Sequence, residues 1–94
     1  MSAEILNSLK IDLGIINSTV YDSRLTSLLE TAKKEIEREG AELDESNIDD
    51  QNLIIDYARY LWLSRREPQD FPRSLRWRIN NRIFGKKTEV DDGN

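Results

Sequence analysis

"QNLIIDYARYLWLSRR", residues 51–66, decides the fold. Leu53, Ile54, Tyr57, Ala58, Leu61 and Trp62 recur at the three- and four-residue spacing of a helix, yet they cover more than one stripe. So broad an apolar face touches two neighbours, which makes this segment the expected central helix. Pro68 ends it.

Upstream, Asp22 is a fitting N-cap for a second helix, in which Leu25, Leu28, Leu29, Ala32 and Ile36 form one buried stripe. Gly40 stands where a helix stop belongs. Ser2 caps a shorter first helix carrying Ile5, Leu6, Leu9 and Leu13, closed by Gly14. Residues 15–21 (IINSTVY) read as a connection with at least one apolar anchor. Residues 41–50 (AELDESNIDD) read as an acidic loop whose Asp49 or Asp50 caps the central helix.

Downstream, Asp70-Phe71-Pro72 looks like another helix start. Leu75, Ile79 and Ile83 give that fourth helix an inner row, and Gly85 closes it. KKTEVDDGN has no apolar periodicity and is expected to be disordered. No strand pair or internal repeat is visible. The expectation is an all-α chain: a small bundle of about four helices over residues 1–85, with a flexible polar C-terminal tail over 86–94. The last three helices are expected to form the main core.

Composition narrows the function. The chain has 94 residues, neither cysteine nor histidine, and a formal charge of −4. A domain this small buries roughly two-thirds of its unfolded surface. Without cysteine there is no disulfide framework or thiol nucleophile, and without histidine the commonest general base and metal ligand are missing. The acidic loop does not fit a calcium site: counted from Asp44, Ile48 falls on the fifth position and no glycine on the sixth. The carboxylates lie on polar, exposed segments, and the four glycines are too scattered for a phosphate loop. No enzyme activity, cofactor or metal is expected. No apolar run approaches a membrane span, and MSAEILNSLK lacks a signal-peptide pattern, so a cytoplasmic chain is expected and the Asn17-Ser18-Thr19 sequon is taken as chance.

Charge is separated along the chain. Residues 1–58 hold five Lys/Arg against thirteen Asp/Glu, whereas residues 59–87 hold nine against two. Arg59, Arg65, Arg66, Arg73, Arg76, Arg78 and Arg82 make up most of the basic half. Each alone reads as a solvated surface charge with its stem over apolar neighbours. As a group dominated by arginine rather than lysine, they suit an interface. Trp77 lies about 160–200° around the helix from the Leu75–Ile79–Ile83 row, so it must cover another element or meet a partner. Trp62 reads as plain core.

The order of elements resembles the small head–tail connector (adaptor, or head-completion) proteins of long-tailed bacteriophages. The resemblance spans residues 4–85 and rests on DSRLTSLLETAKKEIEREG, the acidic loop, NLIIDYARYLWLSRRE, and the helix with Phe71, Pro72, Leu75, Asn80, Asn81, Ile83 and Phe84. It implies a structural virion protein of the neck, between head and tail, assembled in the host cytoplasm. Its copies would form a ring beneath the portal protein, a dodecamer in the virion and a monomer in solution. The ring would extend the DNA channel without sequence-specific binding and dock the stopper, with no membrane partner.

A closed ring needs a heterologous interface, and the separated charge supplies two unlike flanks. The expected interface pairs Glu30, Glu35 and Glu37 of the second helix with a neighbour's basic flank, comprising Arg73, Arg76, Trp77, Arg78 and Arg82. Lys86, Lys87 and Val90 of the tail are expected to dock the portal. The alternative is a small helical nucleic-acid-binding module whose Arg73, Arg76, Arg78 and Arg82 contact phosphates. The net acidity of the chain argues against it.

Overall fold

The structure is a computed structural model that describes the backbone of residues 2–92 and the side chains of residues 2–85. Four helices make it up: α1 (Ala3–Leu13), α2 (Asp22–Arg38), α3 (Ile48–Leu63) and α4 (Arg73–Asp92). Among the described residues there is no strand, and the all-α expectation holds.

Local chemistry explains most boundaries. The Ile5 amide donates to Ser2 Oγ, and Gly14 ends α1 in the left-handed region at φ 73°, where a side chain would be strained. Asp22, however, does not cap α2. Its carboxylate lies 2.9 Å from the ammonium of Lys10, a lysine buried in the α1–α2 joint, and Tyr21 takes the cap position without a side-chain bond. The reason is energetic: an unpaired buried ammonium costs several kcal/mol, against about 1 kcal/mol for a missing cap.

The start of α3 also differs from the expectation. Asn47 is its cap, its side-chain oxygen accepting from the amides of Asp49 and Asp50 at 2.9 and 3.1 Å. Asp50 is the less available capper because its carboxylate is engaged elsewhere. The helix therefore begins three residues earlier than residue 51 and ends at Leu63, before a turn at 64–66. At the other end of the chain, α4 runs through Gly85 to Asp92, so Gly85 does not stop it. The expectation of a flexible tail rests on residues 86–94, whose side chains lie outside the described residues.

α3 packs against each of the other three helices, as its wide apolar face predicts. The core divides in two. The larger part joins Ile5 and Leu9 of α1, Leu25, Leu29 and Ala32 of α2, and Ile54, Ile55, Ala58 and Trp62 of α3. The smaller part joins Ile36, Ala41 and Leu53 to Leu75 and Ile79 of α4, with Phe71 and Ile83 at its edge. This corrects the expectation that α2–α4 form the main core: α1, not α4, completes the larger cluster. Leu29, Ala32, Ala58 and Ile79 are buried as expected, while Leu28, Tyr57 and Leu61 are half-buried against the core.

Candidate assembly surface on the fourth helix

Leu75 and Ile79 point inward and fix the rotation of α4. Three of the four arginines at its start then reach back to the protein's own acids. Arg76 pairs with Glu39 at the end of α2, with its guanidinium 4.8 Å from the centre of the Phe71 ring. Arg78 donates to Asp56 of α3 at 2.6 Å. Arg82 grips Asp50 with two nitrogens, at 2.7 and 3.1 Å, and donates to the Glu42 carbonyl at 2.9 Å.

Asp50 is the pivot of this latch. It is 0% exposed, and its second oxygen also accepts from the Asp44 amide at 2.9 Å. A buried carboxylate is tolerated only when its lone pairs are matched, and here a bidentate arginine and a backbone amide match them. The latch ties α4 to both α3 and the acidic loop. Within that loop, Asp44 is held below the usual carboxylate range by the hydroxyl and amide of Ser46. Glu45 is likewise lowered by its 2.7 Å bond from Lys33, which is raised in turn.

The basic cluster is therefore much less available than the sequence alone suggests. Arg73 is exposed and makes no ion pair among the described residues. Arg59 and Arg66 are likewise exposed and without an ion pair among those residues, whereas Arg65 lies 3.7 Å over the ring of Trp62. Trp62 is buried, with Tyr21 on its other contact at 5.2 Å edge-on, as a core residue should be. Of the acidic partners expected on α2, Glu35 is paired with Arg38 at 2.8 Å, while Glu30 and Glu37 face solvent. Lys86, Lys87 and Val90 lie outside the residues with described side chains.

Among its described residues, α4 turns two aromatic rings outward. Trp77 is 66% exposed, and Phe84, seven residues on and so on the same face, is 61% exposed. Trp77 also walls a groove between the first turns of α3 and the middle of α4, lined by Asp49, Leu53 and Asn81. Phe84 was missed as a surface residue in the sequence, although its i+7 spacing from Trp77 carries the signal. The Asp50–Arg82 and Asp56–Arg78 pairs were missed because their partners lie 32 and 22 residues apart with no local cue.

Among the described residues, no group of three or more acidic side chains is placed to hold a metal ion, and no helix is long and apolar enough to cross a membrane. No family model, curated protein or solved structure matches the chain.

Proposed function

We propose that this chain is a ring-forming structural subunit of a bacteriophage neck, a head–tail connector that seats beneath the portal and offers its far side to a stopper protein. The order and lengths of the helices support the reading through the resemblance described above. The observation that carries it is the outward face of α4: two exposed aromatic rings beside arginines already bound to the subunit's own acids. Exposed tryptophan and phenylalanine on a rigid helix suit a protein partner, since aromatic anchors dominate binding at such contacts. The same observation weakens the nucleic-acid alternative, because Arg76, Arg78 and Arg82 would have to abandon intramolecular pairs to reach phosphates.

The test is genetic and structural together. Particles produced without the chain should be DNA-filled heads lacking tails, or heads that lose their DNA, and supplying the chain should restore joining. Normal tailed particles in its absence would overturn the proposal. Titration with duplex DNA across a salt series separates the alternative. Little binding is expected, whereas salt-sensitive binding at about micromolar or tighter would favour the nucleic-acid module.

A further inference from the structure

The connection between α1 and α2 carries a second exposed apolar patch. Val20 is 80% exposed, the most exposed large apolar side chain among the described residues, and Ile16 and Tyr21 of the same connection are exposed as well. The loop is held in shape. The Val20 amide donates to Ser18 Oγ at 3.3 Å, the Ser18 amide to the Ile15 carbonyl at 3.1 Å, and the Asp22 amide to the Thr19 carbonyl at 3.2 Å. Tyr21 anchors it on Trp62 near the end of α3. A valine presented on so fixed a loop loses little conformational entropy when it docks.

The groove beside Trp77 lies at the opposite end of α3. Asp49 and Trp62 are separated by thirteen residues of helix, or about 20 Å. One subunit therefore cannot fill its own groove with its own loop. The charges beside the two patches are complementary. Asp49, on the groove rim, and Arg24, four residues beyond Val20, are both exposed and make no ion pair among the described residues.

We propose that a second copy of this chain occupies the groove: Val20 of one subunit seats against Leu53, Trp77 and Asn81 of the next, with Arg24 facing Asp49 across the contact. The inference rests on the ring-forming reading and gives it an interface. Loop and groove are unlike surfaces at opposite ends of α3, so the contact is heterologous and propagates from copy to copy, as ring closure requires. It is also small. Aromatic side chains bury about 150–250 Å² each, so Trp77 at its observed exposure offers on the order of 150 Å². A stable pair needs about 800 Å² per partner. Free chain is consequently monomeric, and the contact holds once a closed ring or a template engages every copy twice.

The chain lacks cysteine, which makes disulfide trapping clean. Val20→Cys and Asn81→Cys sit on exposed side chains and should leave the fold intact. At about millimolar protein, where weak contacts populate, oxidised glutathione should convert the double variant into a ladder of multimers. A mixture of the two single variants should give mainly the mixed dimer, and adding Trp77→Ser should abolish the ladder. Symmetric dimers of each single variant in equal yield, or a ladder indifferent to Trp77→Ser, would overturn the interface. The pair Glu37→Cys with Arg73→Cys tests the rival charged contact. A ladder from that pair alone refutes the Val20 contact and leaves the ring intact, while none from either pair refutes both.

Discussion

Arg82 sits on a carboxylate sealed from water, whereas Arg73, earlier on the same helix, faces solvent without an ion pair among the described residues. The contrast gives the residue-scale prediction. Arg82→Ala strands Asp50 in the interior and should cost about 3 kcal/mol in urea unfolding. Arg73→Ala should stay within about 0.5 kcal/mol. Equal effects would mean the latch is not formed. The acidic loop adds a pH dependence. The carboxyls of Asp44 and Glu45 are both lowered in the folded chain, by Ser46 and by Lys33. Their stabilisation is therefore complete above the ordinary carboxylate value and disappears as pH falls through the lowered one. Ser46→Ala and Lys33→Met should each flatten the acid limb of the stability curve, and a limb unchanged in both variants would contradict the assignment.

Among the elements, α1, α2 and α3 share the larger core, while α4 leans on a smaller cluster and on its three arginine pairs. Leu29→Ala should accordingly cost about 3 kcal/mol. Leu61→Ala, at a half-buried position, should cost about 1–2 kcal/mol. Part of the grip on α4 is electrostatic and partly exposed, so its amides should exchange faster than those of α2, and raised salt should widen the gap. Amides of α4 that exchange only on global unfolding would contradict this.

The same division explains what was legible in the sequence. Apolar spacing marked all four helices, because Leu25, Leu29, Ala32 and Ile36, or Leu75 and Ile79, repeat with the helical period. Ser2 and Gly14 marked α1 because each acts on its own neighbours. The caps of α2 and α3 misled because Asp22 and Asp50 serve distant partners, Lys10 and Arg82, that local chemistry does not reveal. The charge separation was legible, and Trp77 was rightly placed outside the apolar row. Its neighbours' fate was not, since Arg76, Arg78 and Arg82 find their acids only once α2 and α3 have packed.

For the whole molecule, those pairings change what the charge separation can do. Three arginines of α4 are satisfied by acids of α2, α3 and the acidic loop within one subunit, and beside them α4 offers a partner the exposed rings of Trp77 and Phe84. Trp77 reports on that face directly. With Trp62→Phe, Trp77 is the only tryptophan, and its emission should be that of a solvated indole in the free chain and shift to the blue on assembly. The most direct test is the amount of this chain in purified, DNA-filled particles made with the wild-type sequence or with Trp77→Ser. Wild-type chain should be present in many copies per particle, and the variant should melt at the same temperature yet be lost from particles that remain tailless. Incorporation of Trp77→Ser at the wild-type level, with tails joined normally, would contradict the account.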